Sequence, residues 1–266
     1  MGKLLGRIFK EDIKNNILWL TLPLIFTLIL TRLLNTFGEN PLVIVGIAIT
    51  MVLVVAGPFI ALISVAVNDY ERFYGKYAAF YSAIPAETGS INAARFINYL
   101  LMFLLAGLFA FANFSILVNF SYESNMNMSD IFQEIAKAVS SIGGKNFAVL
   151  ILYMIILTIT NIMQVIFSIT AGSSGIFGRP SKGKVILIFI IISLIVGLIF
   201  AKIQVLSASN YEESVYVTVG GTNIEMLADN SNGYRAIIAP MVYNVLISLS
   251  LAGGAFYLHD RKLSVA

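Results

Sequence analysis

The side chains that could do chemistry fall into three small groups. Between Asn68 and Phe96 the charged residues Asp69, Glu71, Arg72 and Lys76 interleave with Tyr70, Phe73, Tyr74, Tyr77, Phe80 and Tyr81. Rings at helical spacing, flanked by mixed charge, suit non-covalent docking to another protein. An interfacial aromatic anchor is the plainer alternative. A second group lies inside apolar runs: Asn161, Gln164 and Ser168, and, one turn apart, Asn244 and Ser248. Amides and hydroxyls there either bond helix to helix or line a polar path. The third group is His259 alone. With no cysteine and one histidine, the sequence predicts no disulfide, iron–sulfur cluster or zinc site. It has no glycine-rich phosphate loop and no paired carboxylates in a span. The chain is therefore expected to be no enzyme and to bind no cofactor itself.

The elements that must carry these groups are membrane helices. The 266 residues are 58% hydrophobic and only 12% charged, with a mean hydropathy of +0.87. Soluble domains carry about 25% charged residues. Six apolar runs reach the roughly 20 residues needed to cross a hydrocarbon core: 17–34, 41–67, 96–120, 147–171, 185–205 and 237–258. They lack the alternation of barrel strands, so helices are expected. The fold class is all-α integral membrane, one membrane domain over 1–266. Twelve Lys and Arg fall in the termini and the loops after the second and fourth spans, and five on the other side. Positive charge stays inside, which places both termini in the cytoplasm. A net charge of +3 gives no reason to expect a nucleic-acid partner.

Three connecting segments have readable structure. The first, "MGKLLGRIFKEDIKNN", sets Lys3, Arg7, Lys10 and Lys14 on one helical stripe, a short helix lying in the inner interface or simply a basic flank. Residues 69–84 form a cytoplasmic helix ended by Pro85, with Phe73 and Tyr77 at its centre, and "SINAARF" starts the helix feeding the third span. Outside, "SDIFQEIAKAVSSIGGK" places Asp130 and Gln133 at capping-box spacing before Gly143–Gly144. An amphipathic surface helix is expected there. "EESVYVTVGGTNIEML" alternates Val215, Val217 and Val219 before Gly220–Gly221, as a β-hairpin or an irregular loop would. Gly57 and Ala61, and Ala106 and Ala110, have the spacing of close helix contacts.

The stretch "RFYGKYAAFYSAIPAETGSINAARFI" resembles the loop between spans two and three of bacterial type 2 (ABC-2-like) ABC exporter permeases. The matching positions are Gly75, Lys76, Tyr81, Ser82, Ile84 and Pro85, and the ending "AFYLHDRKLSVA" is similar in its Lys262–Leu263 pair. The resemblance covers the whole chain in layout, while each motif alone is loose. It implies a bacterial plasma-membrane permease that pairs with a second copy or a related permease chain. It also implies a separate cytoplasmic ABC ATPase, which holds the ATP and magnesium. Residues 69–84 would be the coupling helix, with Glu71, Arg72, Phe73, Tyr74, Lys76, Tyr77 and Tyr81 meeting the ATPase. The 172–183 loop would be a smaller contact.

The translocation path is expected along Asn161, Gln164, Ser168, Asn244 and Ser248, with helix packing as the competing role. No span centre carries Asp, Glu, Lys or Arg, which argues against ion-coupled transport and for an amphipathic or apolar cargo. Such cargo includes a toxic or antimicrobial peptide, a lantibiotic, a drug or a lipid, and the family analogy leans to peptide export and bacteriocin immunity. Two other classes stay open: a nucleotide-independent channel or secondary carrier, and a non-transporting membrane anchor subunit.

Overall fold

The computed structural model describes residues 2–37, 40–84, 87–120, 128–174, 179–208, 214–219, 222–227 and 233–261. Helices α1 (Gly2–Phe37), α2 (Pro41–Phe73), α3 (Ala78–Ser82), α4 (Thr88–Phe120), α5 (Met128–Ile142), α6 (Gly144–Ser173) and α7 (Lys182–Ala208) precede strands β1 (Ser214–Val219) and β2 (Thr222–Leu227), and α8 (Gly233–Arg261) follows. Six of the helices are long and apolar enough to cross a membrane, and the protein is a multi-pass membrane protein. β1 and β2 pair antiparallel with Val215 opposite Met226 and Val217 opposite Ile224. Gly220–Gly221, where the turn was expected, lie outside the described residues.

The chain forms two compact units, Met1–Gln133 and Glu134–Ala266, the boundary falling within α5. In the first, α1, α2 and α4 pack on one another; in the second, α6, α7 and α8 do. The small residues mark the tight places of the first unit. Ala61, Ala106 and Leu20 form one buried cluster. Pro23 lacks an N–H, so the Trp19 carbonyl one turn earlier loses its helical donor. Gly57 of α2 sits against that carbonyl: a Cβ there would stand 2.8 Å from Trp19 O and 2.9 Å from Pro23 Cγ.

Three sequence expectations change. The basic N-terminal segment is not a separate helix in the interface. It is the first four turns of α1, which at 36 residues is about 54 Å long against a hydrocarbon core of about 30 Å. Nothing in "KNN" breaks the helix, and the apolar stripe of the segment is covered by protein: Leu4 and Ile8 are buried with Tyr81 and Ala94. Nor does one helix span 69–84. α2 ends at Phe73 and the five-residue α3 follows. Gly75 sits so tightly on the preceding turn that a Cβ would come within 2.8 Å of the Glu71 Cα. In α5, Asp130 lies in the first turn rather than at the cap.

Candidate functional site

The densest polar construction in the described residues stands at one end of the first unit, where α1 begins, α2 ends and α4 begins. It is built along single helix faces. On α1 the buried positions Leu4, Ile8, Asp12, Asn16 and Leu20 recur every four residues, so the apolar stripe becomes polar for one turn and apolar again. α2 brings Asp69 and Arg72 on the face that carries Ala61 and Val65, and α4 brings Arg95, Asn98 and Tyr99.

The Asp12 carboxylate collects four donors from two other helices. Arg72 Nη2 and Nη1 lie at 2.6 and 2.9 Å, Asn68 Nδ2 at 2.8 Å and Asn98 Nδ2 at 2.7 Å. That satisfies all the lone pairs of an ionised carboxylate in a side chain that is fully buried. Asp69 takes Arg95 Nε at 2.9 Å and Nη2 at 2.7 Å. The Tyr99 hydroxyl stands 3.4 Å from the same carboxylate, and the Arg95 guanidinium stacks 5.3 Å from the Phe73 ring centre. Two buried acids face two buried guanidiniums, so the interior of the cluster is neutral, as the cost of burying charge demands.

Glu11 joins this interior to the surface. It accepts from Arg72 Nε at 3.3 Å, from Arg7 Nε at 3.2 Å and from the Tyr81 hydroxyl at 2.8 Å. Burial and the bond to Glu11 push the Tyr81 phenol up to about 12, so it remains a donor at neutral pH. Arg7 also lies 4.4 Å over the Phe80 ring.

The seven residues expected to meet a partner thus divide. Arg72 and Tyr81 are buried and bind α1, and this corrects their reading as surface contacts. Phe73 packs on the Leu4–Ile8–Tyr81–Ala94 cluster, and Tyr74 lies beside Arg95. Glu71 closes the turn by accepting the Lys76 backbone N–H at 3.2 Å. Lys76 is exposed, 4.7 Å over the Tyr77 ring. The two large rings that face outward are Tyr77, 50% exposed, and Phe80, 48% exposed.

The polar residues of the second unit divide too. Gln164, Ser168, Asn244 and Ser248 are buried and Asn161 is exposed. Thr160 Oγ1 meets Ser248 Oγ at 2.8 Å and Ser193 Oγ donates to Gln164 Oε1 at 3.2 Å. Asn244 and Ser248 each bond the carbonyl one turn back. These contacts tie α6 to α7 and α8. His259 lies on α8, and no group of three or more His, Asp or Glu able to hold a metal occurs among the described residues.

Asp12, Asn16, Asn68, Arg95 and Asn98 were missed as a site by sequence reasoning, and Asp69 was read only as one of the charges flanking the rings. The available signal was the interruption of the Leu4–Ile8–Leu20 stripe by Asp12 and Asn16. The chain matches no family model, no curated protein and no solved structure.

Proposed function

We propose that the chain is the membrane permease of an ATP-driven ABC exporter, working with a separate cytoplasmic ATPase. The observation that carries this reading is the pair of outward rings, Tyr77 and Phe80, beside Tyr81, which bonds Glu11 in a cluster where ion pairs tie α1 to α2 and α2 to α4. A push on α3 is then borne by α1, α2 and α4 together rather than absorbed by a loose loop. Nucleotide-driven closure of the partner would favour one arrangement of these helices over another. In this reading the docking end, both termini and the α2–α4 connection are cytoplasmic, in keeping with the distribution of Lys and Arg. The cargo is amphipathic or apolar, because the span centres carry no fixed charge, and a peptide is preferred by analogy with the family the chain resembles. Of the expected path residues Asn161 is the one that faces out of its unit.

A photo-crosslinking amino acid placed singly at Tyr77, Phe80 and Tyr81 tests the docking. Tyr77 and Phe80 are expected to capture a nucleotide-binding ATPase in native membranes, while Tyr81 captures the chain itself. Capture of lipid alone at Tyr77 and Phe80 would reduce α3 to an interfacial anchor and remove the case for an ABC permease.

A further inference from the structure

Asn161 sits near the middle of α6 (Gly144–Ser173), about 4 Å along the axis from its midpoint at 1.5 Å per residue. It is exposed, with no hydrogen-bond partner among the described residues. A side-chain amide that faces lipid at that depth has no water to bond, and leaving its donors and acceptor in hydrocarbon is costly. The neighbouring polar groups of α6 solve this problem internally, Thr160 on Ser248 and Gln164 with Ser193. Asn161 faces elsewhere.

Its surroundings have the spacing of a helix-pairing seam. Ile151, Met154, Thr158, Asn161 and Val165 follow at steps of three, four, three and four, the a/d pattern that keeps one stripe facing a partner helix. Ile151 is 45% and Met154 59% exposed, Thr158 and Val165 are partly exposed, and the stripe ends at Ser168, where α6 is covered on all sides. Thr158 spends its hydroxyl on the Met154 carbonyl at 2.9 Å, leaving a small, nearly apolar surface beside the amide.

We propose that α6 pairs with α6 of a second copy of the chain along this stripe, the two Asn161 amides bonding each other across the axis. Copies inserted with the same orientation can only be related by a two-fold axis along the membrane normal, so each residue meets its own counterpart at equal depth. An amide is the group that suits such a meeting, because it donates and accepts at once. A single Asn in an apolar a/d seam also fixes register, since any slip leaves both amides unpaired. The inference rests on the permease reading only in that two permeases pair, and it names the contact.

The chain has no cysteine, so single substitutions give clean crosslinks. Oxidation in native membranes is expected to give disulfide dimers for Asn161→Cys, Met154→Cys and Thr158→Cys. None is expected for Ile155→Cys, off the stripe, or Leu198→Cys on α7, although these residues are 51% and 71% exposed. With Met154→Cys as reporter, Asn161→Leu should weaken dimerisation about threefold or more, by the scale of membrane hydrogen bonds, and Asn161→Gln should retain it. The proposal falls if Asn161→Cys gives no dimer, if Ile155→Cys and Leu198→Cys crosslink equally, or if Asn161→Leu changes nothing. It also falls if Asn161→Cys reacts with a water-soluble, impermeant thiol reagent, which would make the position part of an aqueous path. ATPase capture at Tyr77 and Phe80 reads the permease assignment separately, so the two failures are distinguishable.

Discussion

Asp12 holds Arg72 with two short bonds inside a site sealed from water on both sides, its side chain 0% and that of Arg72 4% exposed. Removing one partner of such a pair leaves an uncompensated buried charge. Arg72→Ala should therefore cost about 3–5 kcal/mol, read as a large fall in the thermal midpoint of the purified protein in detergent. Replacing both, Asp12→Leu with Arg72→Met, should cost less than Arg72→Ala alone, because the stranded carboxylate goes too. An Arg72→Ala protein with an unchanged midpoint would show that the cluster supports nothing. Tyr81 gives a second residue-scale test. Its phenol keeps its proton in the fold up to about 12, whereas the unfolded chain releases it near pH 10. The contribution of the contact is thus complete below about pH 10 and is lost as pH rises toward about 12. Tyr81→Phe should flatten the fall of the thermal midpoint in that window relative to wild type, and equal slopes would refute the assignment.

Between elements, the α1–α2 contact depends on the absence of a side chain at Gly57. A Cβ would push on the Trp19 carbonyl and the Pro23 ring, neither of which can rotate away. Gly57→Val should cost about 1–3 kcal/mol by overpacking, while Gly107→Ala on α4, where an added Cβ meets nothing within 4 Å, should be close to neutral. Thermal unfolding of the two variants checks this directly, and parity between them would mean that the helices are not closely packed at Gly57. The crossing helices themselves were legible in the sequence, because a run such as 185–205, apolar throughout except at Ser193, Lys202 and Gln204, offers most of its surface only to lipid. Their true lengths were not. "FKEDIKNN" and "NDYERF" look like polar flanks, yet Asp12, Asp69 and Arg72 are turned inward, where Arg72, 60 positions on, neutralises Asp12 and the amide of Asn98, 86 positions on, donates to it. No local pattern pairs Asp12 with Arg72 or Asn98; only the fold does. The aromatic face of residues 69–84 was visible for the same reason that it was misread. Helical spacing shows which rings share a face, but not whether that face looks outward, and here Phe73 and Tyr81 look inward.

At the scale of the whole chain, the six crossing helices and the placement of charge together make a statement that can be tested without any partner. Six crossings would return the chain to its starting side, so in the permease reading the two termini and the connections after the second and fourth spans share a compartment. Twelve of the seventeen Lys and Arg lie at or near that compartment, and positive charge is retained in the cytoplasm. The cluster around Asp12 belongs to the same end of the first unit, so its side of the membrane is decided by the same rule, and a docking surface for an ATPase is useful only there. Single cysteines at Lys3, Lys137 and Lys182 separate the possibilities. In intact cells an impermeant maleimide should label Lys137→Cys, on α5, and leave Lys3→Cys and Lys182→Cys untouched until the membrane is opened. Labelling of Lys182→Cys or Lys3→Cys from outside would invert the protein, put Tyr77 and Phe80 on the far side from nucleotide, and end the exporter reading whatever the helices look like.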